Sequence, residues 1–141
     1  MSDKVILLVE DDPDDKLLIE RAFKKSNIPN RIIWVKDGVE ALDFLLGKKI
    51  YESLINRHLI ILLDLKLPKI NGLEVLKAIR KDDNTKHIPV IIFTSSNEEQ
   101  DKIKCYENGA NSYINKPIDS NLLNDIVNKI GYYWLCLNQS L

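Results

Sequence analysis

The run Leu59-Ile60-Ile61-Leu62-Leu63 is apolar at every position and stops abruptly at Asp64, followed by the turn-forming stretch 65–72. A strand without a polar face must be covered on both sides, the usual state of a parallel sheet. Val5–Val9, Ile32–Val35, Pro89–Phe93 and Ser112–Ile114 read as further strands, and a stretch with helical apolar spacing follows each. Strand–helix alternation repeated five times predicts an α/β fold: a doubly wound five-stranded parallel sheet with helices on both faces.

The helix starts carry local signals. Asp12-Pro13 reads as an N-cap followed by a first-turn proline, with Asp14 and Asp15 facing the positive helix end. Leu18, Ile19, Ala22 and Phe23 supply that helix's apolar stripe, and residues 27–30 stop it. Asp37 with Glu40, Asn71 with Glu74, and Ser96 with Glu99 all have cap spacing. Leu42, Leu45 and Leu46 share one helix face, and Leu73, Leu76 and Ile79 another. The helix after Ser96 is thinly anchored, with Ile103 and Tyr106 as its strong apolar positions. The last helix runs from about Asp119 to the Leu135 region. Its apolar face, including Leu122, Tyr133 and Trp134, serves either as core cover or as a dimer contact. Residues 47–58, the least regular part, read as a helix extension and loop.

Composition narrows the function classes. A chain of 141 residues suits one domain, expected to span 1–141 with a core over about 4–130 and a C-terminal helix extension over about 131–141. Twenty basic and 21 acidic side chains leave a formal charge of −1, which gives no basic face for nucleic acid. No apolar stretch approaches the ~18–20 residues of a membrane span, and the N-terminus lacks a signal peptide's apolar segment. A cytoplasmic protein with neither membrane nor nucleic acid as partner is expected. Cys105 and Cys136 lack ligand spacing and read as reduced thiols. His58 and His87 stand alone and read as structural.

The strand ends carry the chemistry. Glu10, Asp11 and Asp12 follow the first strand, Asp64 the third, Thr94 and Ser95 the fourth, and Lys116-Pro117 the fifth. In a doubly wound sheet these ends lie along one edge, where ligands gather. Clustered carboxylates repel unless a cation neutralises them, and oxygen-only donors without histidine suit Mg²⁺. Glu10, Asp11 and Asp64 form such a set. Lys116 offers a mobile charge and Thr94 a hydroxyl, both useful on phosphoryl oxygens. The combination fits phosphoryl transfer onto a carboxylate.

Taken in order, residues 6–12, 62–72, Phe93-Thr94-Ser95 and Lys116-Pro117 resemble the receiver domains of two-component signalling, the response-regulator family, across roughly residues 4–130. The resemblance implies the flavodoxin-like receiver fold and a phosphorylation-dependent switch that is no conventional enzyme but promotes its own phosphorylation and dephosphorylation. It implies that Asp64 accepts phosphate from a histidine kinase, that Glu10, Asp11, Asp64 and the Lys66 carbonyl hold Mg²⁺, and that Lys116 contacts the phosphoryl group. Thr94 resembles the switch hydroxyl and Tyr113 the aromatic that turns inward with it. The Lys116–Pro117 bond is expected cis. The long second-helix region and the tail Gly131–Leu135 are similar to stand-alone regulators partnered with bacterial phytochromes, which tend to be homodimers. With no output domain read after the helix extension, output is expected through a downstream protein or a phosphotransfer partner.

Two rival readings remain. A phosphorylation-independent receiver acting as a binding module usually lacks one of these acids, the threonine or the lysine, and this chain has them all. An aspartate-nucleophile phosphohydrolase usually places a second acid two residues after the nucleophile, where this chain has Lys66.

Overall fold

Successive side chains of a strand point to opposite faces, so wholly apolar strands must divide their residues between two cores. In the computed structural model, which describes residues 4–47, 59–117 and 119–137, they do so. The strands are β1 (Val5–Val9), β2 (Ile32–Val35), β3 (Leu59–Leu63), β4 (Val90–Thr94) and β5 (Ser112–Asn115). Leu7, Ile61 and Ile92 point to one face, Ile6, Ile60 and Ile91 to the other.

Five helices alternate with the strands: α1 (Pro13–Lys25), α2 (Gly38–Leu42), α3 (Gly72–Lys81), α4 (Glu99–Glu107) and α5 (Ser120–Ile130). α2 runs on into a wider π-type turn over Asp43–Gly47, and α5 into one over Gly131–Leu137. All strand pairs are parallel, in the order β2-β1-β3-β4-β5. That is the doubly wound order whose direction of winding reverses between β1 and β3, the point where such sheets bind ligands. α2, α3 and α4 cover one face through Ala41, Phe44, Leu76, Ile79 and Cys105. α1 and α5 cover the other through Ile19, Phe23, Leu123, Val127 and Ile130.

Several local expectations need correction. Leu18 is exposed, because Ile19, Ala22 and Phe23 already fill the inward arc of α1 at helical spacing. Of the three leucines expected on one face, Leu45 is buried, whereas Leu46 is exposed and Leu42 only half-buried, since the widened winding after Leu42 turns Phe44 inward beside Leu45. Ile103 and Tyr106 are exposed, and α4 is pinned by Cys105. Ser96 does not cap α4: the helix starts at Glu99 with Glu98 at the cap position, and no side chain caps it. Lys116–Pro117 is trans, as no cis peptide occurs among the described residues. Trans is the isomer an X–Pro amide favours by about 0.5–1 kcal/mol. Apart from Gly47, the irregular stretch 47–58 lies outside the described residues, and so does His58. His87 is exposed. No described helix is long and apolar enough to cross a membrane.

Candidate functional site

The sheet's own hydrogen bonds deliver the functional residues to one edge. The Glu10 N–H donates to the Val35 carbonyl (3.1 Å), that of Asp64 to Val9 (3.1 Å), and that of Lys116 to Thr94 (2.8 Å). Each residue therefore takes the next rung beyond its strand, and its side chain emerges where the ladder ends. The loop after Asp64 folds back tightly, with the Leu65 carbonyl accepting from the N–H groups of Leu67 (3.1 Å) and Gly72 (2.9 Å). A side chain at Gly72 would run into the Asp64 carbonyl and the Leu65 Cα, so only glycine lets α3 begin this close to β3.

Burying a carboxylate is costly without a counter-charge. Glu10 is 1% exposed and Asp64 5%, and one cation serves both. Lys116 Nζ lies 2.5 Å from Glu10 Oε1 and 2.9 Å from Asp64 Oδ2. It also meets Asp15 Oδ2 at 2.9 Å, so the ammonium from β5 gathers acids from β1, α1 and β3. Remaining lone pairs are engaged by backbone: the Asp12 N–H donates to Glu10 Oε2 (3.2 Å) and the Lys66 N–H to Asp64 Oδ1 (3.2 Å). The Trp34 indole N–H donates to the Glu10 carbonyl at 2.7 Å. Burial pushes the Glu10 carboxyl up to about 7, against the pull of the Lys116 ammonium. Burial alone would lower the Lys116 pKa, but its hydrogen bonds to Glu10, Asp64 and Asp15 outweigh it, and the ammonium holds its proton more tightly than a free lysine.

Glu10, Asp11 and Asp64 each offer one oxygen, all within 4.8 Å of one another. Oxygens around one Mg²⁺ at about 2.1 Å lie at most about 4.2 Å apart, so the three acids need only a small inward adjustment. The donor set is oxygen alone, which fits a hard dication. Asp11 is exposed at the mouth while the other two are buried, which leaves an open side.

On the β4 side, Thr94 is fully buried, and its hydroxyl accepts from the Ser96 N–H (3.3 Å). Tyr113 is partly buried, and its hydroxyl donates to the Ser96 carbonyl at 3.0 Å. Asn115 Nδ2 donates to the same oxygen at 2.6 Å. The Ser96 hydroxyl donates to Asp101 Oδ2 at 2.5 Å, which ties the loop to the first turn of α4.

Glu10, Asp11, Asp64 and Lys116 thus converge as the sequence predicts, with Lys66 beside Asp64 through its N–H. Thr94 and Tyr113 are joined through Ser96. Sequence reasoning misses Asp15, whose role as a Lys116 partner leaves no local signal beyond an acid in a helix's first turn. It also misses Trp34 and Asn115 as partners of the site's backbone.

A parallel sheet wound in this order, with an acid cluster and a lysine at its switch-point edge, is a flavodoxin-like α/β domain with a candidate cation site. The chain belongs to the response regulator receiver domain family, whose model matches residues 6–128. These domains are phosphorylation-dependent switches of two-component signalling rather than conventional enzymes, bind a divalent metal, and interact with histidine kinases. The chain is 41% identical over 138 residues to the probable methanogenesis regulatory protein FilR2 of Methanothrix harundinacea, covering 96% of this chain and 86% of that protein. It is 41% identical over 132 residues to the response regulator Rcp1 of Synechocystis, covering 94% and 89%. The Mn²⁺-bound structure of Rcp1 matches with a TM-score of 0.86 at 38% identity, covering 98% of this chain and 99% of that one. The phosphorylated cyanobacterial phytochrome response regulator RcpA matches with a TM-score of 0.88 at 36% identity, covering 99% of both chains.

Proposed function

We propose that Asp64 is the phosphoryl acceptor of this receiver and that Glu10, Asp11, Asp64 and the Lys66 carbonyl hold Mg²⁺. The observation that carries the reading is the Lys116 ammonium, which spans Glu10 and Asp64 from a strand at the far edge of the sheet. A bound Mg²⁺ supplies charge neutralisation for the acids and for the incoming phosphoryl oxygens. An Asp64 oxygen attacks the phosphorus of a phosphohistidine in line; the O–P bond forms as the N–P bond breaks, and the imidazole leaves. Lys116 and the Thr94 hydroxyl then contact the phosphoryl oxygens, which adds roughly −1.5 to −2 of charge by analogy with other phosphorylated side chains. As in other receivers, the domain promotes both its own phosphorylation and its later dephosphorylation.

The switch runs through Thr94 and Tyr113. Movement of Thr94 toward the phosphoryl group pulls on Ser96, whose carbonyl holds the Tyr113 hydroxyl, and α4 changes its partner affinity as a population shift. The likeness to the phytochrome response regulator RcpA supports a sensor histidine kinase of phytochrome type as donor; we place the exchange in the cytoplasm, with a downstream protein or phosphotransfer partner as recipient. The exposed Tyr132 and Tyr133 support a homodimer through the C-terminal extension, beyond a single receiver unit. Lys66, where a hydrolase wants an acid, speaks against small-molecule turnover.

Incubation with acetyl phosphate and Mg²⁺, followed by intact mass, tests the assignment. One added phosphoryl unit that disappears in Asp64→Asn is the expected result. No gain in the wild type, or a gain that survives the substitution, overturns it.

A further inference from the structure

Lys116 has a third carboxylate partner that the chemistry above leaves unused. Asp15 accepts from Nζ at 2.9 Å, the same distance as Asp64, yet its side chain is 35% exposed where that of Asp64 is 5%. Its backbone is firmly placed. Pro13 opens the helix, Asp12 Oδ1 accepts from the N–H groups of Asp14 (2.8 Å) and Asp15 (3.4 Å), and Ile19 is buried one turn on. Asp15 contributes no oxygen to the metal-spaced cluster, whereas Glu10 and Asp64 both do.

An ammonium has three protons to donate, and here three carboxylates receive them. A dication entering among Glu10, Asp11 and Asp64 needs oxygens that Lys116 now holds, and its charge repels the ammonium. The contacts with Glu10 and Asp64 must loosen; the one with Asp15 need not. A cleft of about 310 Å³ opens beside the ammonium; its wall is apolar at Leu18, Ile19, Phe93 and Leu123 and polar at Asp15 and Ser95, so Asp15 is the carboxylate within it that can hold the charge.

We infer that Asp15 is a positioning residue that retains the Lys116 ammonium on the α1 side of the site as Mg²⁺ takes over Glu10 and Asp64. It thereby eases metal entry and keeps the lysine beside the place where phosphoryl oxygens arrive. The inference rests on the metal reading above. The plainer role for Asp15 is an acid complementing the N-terminus of α1, which would affect helix stability but would not be coupled to Lys116.

Isothermal titration of the full chain with Mg²⁺ separates the two in a double-mutant cycle: wild type, Asp15→Asn, Lys116→Met and both together, each checked for folding by circular dichroism. Lys116→Gln replaces Lys116→Met if the latter does not fold. Asp15→Asn weakens Mg²⁺ binding on the order of fivefold in the wild-type background, within the range of coupling between contacting groups. Lys116→Met tightens binding, and in that background Asp15→Asn costs at most about twofold, the residue of a screened charge. An equal loss in both backgrounds overturns the tether while leaving the metal site standing. If the wild type itself takes up no Mg²⁺, the metal reading falls and the tether with it.

Discussion

α3 and α4 cover the same face of the sheet and are held in opposite ways. α3 starts with the Asn71 side chain accepting from the Glu74 N–H (3.0 Å) and buries Val75, Leu76 and Ile79 completely. Its last turn is locked from outside. Thr85 Oγ1 donates to the Ile79 carbonyl (2.7 Å), and the Arg80 guanidinium donates to the carbonyls of Ile88 (2.7 Å) and Gly109 (2.8 Å). α4 has no side-chain cap, and Cys105 is its one buried residue. The helix next to the Asp64 loop is thus a fixed wall, while the helix next to Thr94 and Ser96 buries a single thiol and is otherwise tied at its first turn by the Ser96–Asp101 hydrogen bond. Local opening draws on regions with few buried contacts, so α4 is the helix on this face with least to lose by moving.

Substitutions can break this contrast, and the largest effect falls in α3. Leu76→Ala is expected to cost about 2–5 kcal/mol as a core truncation, whereas Ile103→Ala in α4 stays within about 0.5 kcal/mol. Urea unfolding measures both, and comparable losses would dissolve the distinction.

The α4 anchor is also titratable. Burial raises the Cys105 thiol from 9.0 to about 11. Because the folded pKa lies above the unfolded one, the unfolded chain releases its proton first, and stability falls as pH rises from about 9 to about 11. The loss reaches roughly 2–3 kcal/mol at most, and below pH 9 it vanishes. Cys105→Ala should remove this component of the alkaline stability curve, with hydrogen exchange in α4 responding to alkali before that in α3.

Smaller effects come from the helix starts. Asn71→Ala removes a cap that is present and is expected to cost about 1 kcal/mol. Glu98→Ser supplies the one α4 lacks, for an expected gain of about 0.5 kcal/mol. If α4 must shift for output, the second variant also weakens the response of α4 exchange protection to acetyl phosphate and Mg²⁺.

What the sequence makes legible follows from the range of each signal. The strands are plain because an all-apolar run such as 59–63 admits few other readings, and the caps at Asp12, Asp37 and Asn71 are local hydrogen bonds written in adjacent residues. Glu10, Asp64 and Lys116 are recognisable because they close strands. Asp15 is not, since its partner lies 101 residues away and its local surroundings already give it a helix-end role. Ser96 has the spacing of a cap, but its hydroxyl goes to Asp101. In α4 the eye is drawn to Ile103 and Tyr106 by residue type, while helical phase selects Cys105.

Trp34 gives the site a property unrelated to catalysis. Its N–H sits on the Glu10 carbonyl, and the ammonium groups of Lys16 and Lys36 lie 4.7 Å and 5.8 Å from its ring. An indole's emission follows the local electric field. A change in the charge state of this edge is therefore expected to shift the emission of Trp34, a gauge that a variant lacking Trp134 would isolate.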